Sequence, residues 1–176
     1  MNKSQIADIL INQSSNGIPV FLNIDDEPIG INIKKTGGGI LIMGQNITPR
    51  INDIVSQFDQ SCITNIATPN DLNVLYKDFV SHYKNCQCYS PYHIAVINDI
   101  NVFNNAQCKP HLIPILSRGN GIKLFFIAGM SSSTINDIPI TANFAVRINE
   151  YYVDTKKKIS EADFDYIGKI QKIKLS

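Results

Sequence analysis

The strongest constraint on this sequence is the alternation of short apolar runs with segments of helical period. Residues 40–43 (ILIM), 62–67 (CITNIA), 92–97 (YHIAVI) and 122–128 (IKLFFIA) are each of strand length and rich in branched or aromatic side chains. Consecutive apolar residues point to both sides of a strand, so such strands belong in a sheet covered on both faces. Between them, Ile51, Ile54, Val55 and Phe58 fall at i, i+3, i+4 and i+7, and Leu72, Leu75, Tyr76, Phe79 and Tyr83 form a second stripe. Stripes of that period are helices that bury one side. The alternation predicts an α/β fold of three layers around a mainly parallel sheet. At 176 residues the chain fits a single domain, 1–176, long enough to bury a substantial core.

Local signals place the boundaries. Residues 4–12 carry Ile6, Ile9 and Leu10 at helical spacing. Runs 18–24 and 28–33 flank the acidic turn Asp25-Asp26-Glu27, which predicts an N-terminal β-hairpin. Thr36-Gly37-Gly38-Gly39 is a break. Thr48 before Pro49 predicts a helix start, with a hydroxyl cap and a proline where no N–H is needed. Thr68-Pro69 repeats that signal with Asp71 three residues past the cap. An irregular helical stretch runs to Arg118 and restarts near Pro110, and Gly119-Asn120-Gly121 ends it. Residues 131–137 read as a loop or short helix, 145–148 as a last short strand, and Lys156-Lys157-Lys158 as a solvated turn.

Bulk properties remove several function classes. With 44% apolar and 18% charged residues and a net charge of +1, the chain exerts no strong pull on nucleic acid or anionic lipid. No run approaches the roughly 18 apolar residues of a membrane span, and the first residues lack the apolar core and cleavage site of a signal peptide. Cys62, Cys86, Cys88 and Cys108 offer no C-x-x-C pair and no histidine at zinc spacing. They read as free thiols in a reducing cytoplasm, and no metal site is expected.

In open α/β sheets, ligands bind beyond the carboxyl ends of the strands. After the run 40–43 and before the helix near Pro49 lies the position of a P-loop, whose pattern is G-x-x-x-x-G-K-[ST]. The residues there are Gly44, Gln45, Asn46, Ile47, Thr48, Pro49, Arg50 and Ile51. The first glycine is kept. Pro49 replaces the second and has no N–H to give a phosphate. Arg50 replaces the lysine with a broad planar fork, and Ile51 replaces the hydroxyl that ligates magnesium. The run 94–97 (IAVI) occupies the place of a Walker B strand, but Asn98 stands where the metal-holding acid belongs, leaving Asp99 in the second position. Charge-assisted hydrogen bonds to phosphate are worth about 1.5–3 kcal/mol each, so losing several removes most nucleotide affinity. No catalytic residue is assigned and no cofactor is expected, with ATP and magnesium held only weakly if at all.

The order of these features resembles a known family. Ile18-Pro19-Val20, Leu22, Asp25-Asp26-Glu27-Pro28 and then Gly39-Ile40-Leu41-Ile42-Met43-Gly44 are similar to the "IP-h-G-L-DDEP … GHLLI-x-G" opening of FtsK/SpoIIIE-type ATPase domains. The likeness is greatest to those repeated in the coupling ATPases of type VII secretion systems (EssC/EccC). The strand 93–99, Leu116-Ser117-Arg118-Gly119-Asn120-Gly121-Ile122, Phe126-Ile127-Ala128, and Pro139, Asn143 and Phe144 continue it over roughly residues 15–150. No signature motif in that span is intact. The resemblance implies a RecA/FtsK-like P-loop NTPase fold, in the last ATPase-like domain of a longer, membrane-anchored protein on the cytoplasmic face of the bacterial membrane. It implies a neighbouring ATPase domain in the same chain, ring assembly, and recognition of secreted helical-hairpin substrates of the WXG and LXG types. It also implies that a substrate-recognising or regulatory role replaces hydrolysis. A weakly active NTPase powering translocation and a DNA-translocase-like domain are the alternatives; the near-neutral charge opposes the second.

Other residues carry weaker expectations. Arg50 is a solvated arginine or an anion contact at the helix start. Arg118 is a helix-end charge complementing the dipole, or an arginine finger for a neighbouring site. Ser131, Ser132, Ser133 and Thr134 occupy the loop that senses γ-phosphate in the family, or form a polar turn. His82, His93 and His111 share no ligand spacing and read as structural. Among Tyr83, Tyr89, Tyr92, Phe125 and Phe126, an exposed subset would suit a partner helix.

Overall fold

The computed structural model describes residues 17–24, 27–32, 39–44, 47–56, 58–90, 92–131, 140, 144, 146–154, 159–166 and 169–175. The expected helix at 4–12, the break at 36–38, the segment 132–137 and the lysines 156–158 lie outside those residues. Strands β1 (Gly17–Ile24) and β2 (Glu27–Asn32) form the expected antiparallel hairpin, with Ile24 opposite Glu27.

The main sheet is built from β3 (Gly39–Met43), β4 (Ile63–Asn65), β5 (His93–Ile97), β6 (Leu124–Met130), β7 (Val146–Asp154), β8 (Ile159–Tyr166) and β9 (Lys169–Leu175), in the order β4-β5-β6-β3-β7-β8-β9. From β4 to β7 every neighbouring pair is parallel; β8 and β9 add an antiparallel meander. Three α-helices are described: α1 (Ile47–Val55), α2 (Pro69–Lys84) and α3 (Lys109–Arg118).

Strand parity decides which helix covers which face. Leu41, Met43, Ala95, Ile97, Phe126 and Ala128 share one buried cluster with Leu72, Leu75 and Phe79 of α2 and Leu112, Ile115 and Leu116 of α3. The alternate residues Ile40, Ile42, Phe125 and Ile127 are equally buried on the other face. There α1 covers the sheet through Ile47 and Ile51, which close on Gly129 of β6. Burying each such side chain contributes about 1.5–3 kcal/mol, so the three layers hold together from both sides.

Helix α2 starts where Thr68-Pro69 predicts. Thr68 Oγ1 accepts from the Asp71 N–H at 3.2 Å, while Asp71 Oδ2 accepts from the N–H groups of Thr68 (2.9 Å) and Ala67 (3.0 Å). This reciprocal box satisfies donors that the helix itself leaves unpaired.

Several boundaries differ from expectation. Helix α1 begins at Ile47, so Thr48 is inside it, and it stops at Val55, which leaves the half-buried Phe58 in the following turn. Proline is tolerated throughout the first turn, because those N–H groups have no intrahelical acceptor; a Thr-Pro pair therefore does not fix the first residue. Gly119 continues as helical backbone (φ −60), and the left-handed residue that turns the chain into β6 is Lys123 (φ 67). The last strand is longer than 145–148, and β8 and β9 follow it.

Two stability predictions follow from these contacts. A Cβ on Gly129 would lie 2.4 Å from the Asn98 carbonyl oxygen and 2.9 Å from Ile51 Cδ1, and an overpacked core costs about 1–3 kcal/mol. Gly129→Ala therefore lowers the unfolding free energy read from urea denaturation by that amount. The N–H groups of Ala67 and Thr68 hold the Asp71 carboxyl below its ordinary 3.8. Its contribution is complete above pH 3.8 and is lost as pH falls through the lowered folded value. Melting of the native chain accordingly falls more steeply on acidification below pH 3.8 than melting of Asp71→Asn.

Candidate functional site

Strand β3 sits beside β6, and the chain leaves the two in opposite directions. From β3 it enters α1 on one face, whereas Ile140 and Phe144, beyond β6, join the buried cluster on the other. Loops that part this way open a crevice at the strand ends, where α/β domains bind ligands. Gly44 lies there after β3, Asn98 and Asp99 after β5, and Ser131 after β6.

The connection from β3 to α1 is Gly44, Gln45 and Asn46; the last two lie outside the described residues. Gly44 is buried, has a left-handed backbone (φ 143) and donates its N–H to the Met130 carbonyl at 3.2 Å. The remaining five positions of the motif are already helix. Ile47 and Ile51 face the sheet, with Ile51 at 0% exposure, while Thr48 and Pro49 are exposed and Arg50 is half-buried. Where a phosphate nest needs a wrapped loop of N–H donors, this chain has a helical turn interrupted by an imide.

The acid side of the crevice is also committed. Asn98 is exposed and uncharged. Asp99 caps the 3-10 turn Ile100–Phe103, its Oδ1 accepting from the Asn101 N–H at 3.0 Å. Its Oδ2 accepts from the Ser131 hydroxyl at 3.2 Å. Ile100 and Phe103 are buried, so this acid anchors a turn that feeds the core. Ser132, Ser133 and Thr134 lie outside the described residues. The residues present do not fit a magnesium–triphosphate group: one carboxylate binds the protein, and the hydroxyl position is a core isoleucine.

The other candidates lie away from the crevice. Arg118 leads into the start of β6, a strand length from Ser131, and its guanidinium stands 5.9 Å from the centre of the Tyr83 ring. His111 stacks on Tyr76 at 4.5 Å and His82 on Tyr89 at 4.1 Å. His93 Nε2 lies 2.5 Å from Thr64 Oγ1, and burial keeps its imidazole below the ordinary histidine range. Phe125 and Phe126 are fully buried, whereas Tyr83 is 46% exposed. Gly129 carries little signal in the sequence, a small residue following Ala128 near the end of β6. All four cysteines are free thiols, Cys108 buried and Cys86 and Cys88 exposed. Among the described residues no helix is long and apolar enough to cross a membrane.

No protein-family profile matches this sequence, and no curated protein sequence matches it. Solved structures do share its fold. The pCW3 conjugation coupling protein TcpA, in its monomer form with ATPγS, superposes with a TM-score of 0.70 at 12% identity, over 94% of this chain and 67% of TcpA. ATPases 2 and 3 of EssC from Geobacillus thermodenitrificans give 0.63 at 14% identity, over 96% of this chain and 43% of theirs. ATPases 2 and 3 of Thermomonospora curvata EccC, in complex with a signal sequence peptide, give 0.60 at 11% identity, over 94% and 41%. The chain thus has the P-loop NTPase fold of these domains and spans less than half of the EssC and EccC chains.

Ile51 separates the structural from the ligand-binding reading of the crevice. Ile51→Thr restores a hydroxyl at the magnesium position but places it in an apolar seat. The variant loses about 1–3 kcal/mol of stability in urea denaturation and gains no affinity for Mg-ATP in titration calorimetry.

Proposed function

We propose that this chain is an ATPase-fold domain of a type VII secretion coupling protein, acting by recognising protein instead of hydrolysing nucleotide. The observation that carries the reading is the structural use of the motif positions: Ile51 is fully buried against β6, and each Asp99 oxygen accepts from one of the chain's own donors. The EccC domains of the same fold are described with a signal sequence peptide, which supports a peptide-binding role for such domains. In this reading the domain adjoins another ATPase domain of its own chain in a ring on the cytoplasmic face of the bacterial membrane. Its ligands are secreted helical-hairpin proteins of the WXG and LXG types. The net charge of +1 argues against a translocase that tracks DNA, which must neutralise many phosphates.

A ligand that binds only the folded state stabilises it in proportion to occupancy; at one hundred times its Kd the gain is about 2.7 kcal/mol, several degrees of melting temperature for a chain of this size. The melting temperature is expected to stay unchanged at millimolar Mg-ATP. A rise of several degrees that is lost in Arg50→Ala would instead establish the weakly active NTPase reading.

A further inference from the structure

A second cleft lies at the sheet's edge, on the face that α2 covers. It encloses about 280 Å³ between β4 and α2, with Thr64 and His93 at its floor and Asp71, Val74 and Asp78 along its helical wall. Among the described residues, strand β4 ends the sheet and pairs only with β5. The Ile66 N–H donates to the Val96 carbonyl at 2.8 Å, and ladder bonds alternate along a strand. The backbone N–H and C=O of Asn65 therefore point outward, at an edge where the residue is exposed. Open edges of this kind accept an added strand.

The same alternation sends every second side chain of an added strand toward α2. Thr64 and Ile66 already point that way, Ile66 into the core and Thr64 into the cleft. What awaits such side chains is acidic. Asp71 and Asp78 lie seven residues apart on one side of α2, with Val74, 60% exposed, between them, and among the described residues no lysine or arginine lines the cleft. Tyr89 donates its hydroxyl to Asp78 Oδ2 at 2.6 Å, and His82 Nδ1 lies 3.6 Å from Asp78 Oδ1. Asp71 is held by the N–H groups of Ala67 and Thr68. Both carboxylates are thus fixed in place, and Asp78 remains 52% exposed. An aliphatic stem over Val74 ending in a cation matches that wall.

We propose that the cleft between β4 and α2 receives an extended peptide segment, which adds as a strand beside Asn65 and carries a lysine or arginine between Asp71 and Asp78. This site is separate from the strand-end crevice and does not rest on whether nucleotide binds there. The test titrates the full chain, without nucleotide, against a fluorescein-labelled decapeptide of alternating valine and lysine, followed by anisotropy. A valine–glutamate decapeptide and a valine–lysine decapeptide with a central proline serve as comparisons. Saturable binding is expected only for the uninterrupted lysine peptide, weakened roughly two- to fivefold by Asp78→Asn and unchanged by Val102→Ser beyond the far end of β5. Amide exchange at Asn65 slows in the complex. Equal binding of the glutamate peptide, no saturable binding of the lysine peptide, or binding without slower exchange at Asn65 overturns the proposal.

Discussion

The seating of α1 on β6 determines what the rest of this domain can do. Ile47 and Ile51 reach the sheet at Gly129, the position where any larger residue would collide with them. A helix drawn that close begins four residues after the last residue of β3. The apolar contact of Ile47 and Ile51 with β6 at this position helps stabilise the fold. In a P-loop the connection spends its backbone N–H groups on a ligand; here Gly44 spends its own on the Met130 carbonyl.

Asp99 follows the same logic. An acid after an apolar strand at a sheet's centre is the usual place to hold a metal, and a carboxylate there needs free oxygens. This one instead ties the ends of β5 and β6 together, receiving the Ser131 hydroxyl on one oxygen and the Asn101 N–H on the other. The turn it caps carries Ile100 and Phe103 into the core. The fold is shared with ATPase domains, but fold does not imply function.

Much of the architecture is legible in the sequence because burial on both faces leaves an unmistakable pattern. The runs that become β3, β5 and β6 are apolar at consecutive positions, and the Thr68–Asp71 box marks α2 chemically. Where the sequence misleads, two local rules compete. Thr48-Pro49 has the look of a cap, yet proline suits the whole first turn. Gly119 and Gly121 attract the left-handed assignment that Lys123 takes. The strands β8 and β9 escape detection although Ala162, Phe164 and Tyr166 alternate with Glu161, Asp163 and Asp165 in β8; β9 keeps no strict period of two. The register places Glu161 opposite Lys174 and Asp163 opposite Lys172. The edge cleft is invisible for a different reason: Thr64, Asp78 and His93 come together only through the crossover, and nothing in their spacing announces it.

The two halves of the functional reading are physically independent. Helix α1 sits on one face of the sheet and α2 on the other, so the contact of α1 with β6 places no constraint on the edge cleft. The sheet also treats its two edges differently. Strand β9 has the hairpin strand β1 beside it, whereas β4 is short and, among the described residues, has no neighbour on its outer side. Shortness is one way that proteins blunt an edge against indiscriminate pairing. With the N–H groups of Ile63 and Ala67 already engaged by Gln60 and Asp71, the open edge narrows to a single backbone frame at Asn65. A frame that small gives little affinity by itself. Selectivity must then come from the side chains that enter the cleft, and the fixed carboxylates of α2 make charge the quantity that is read.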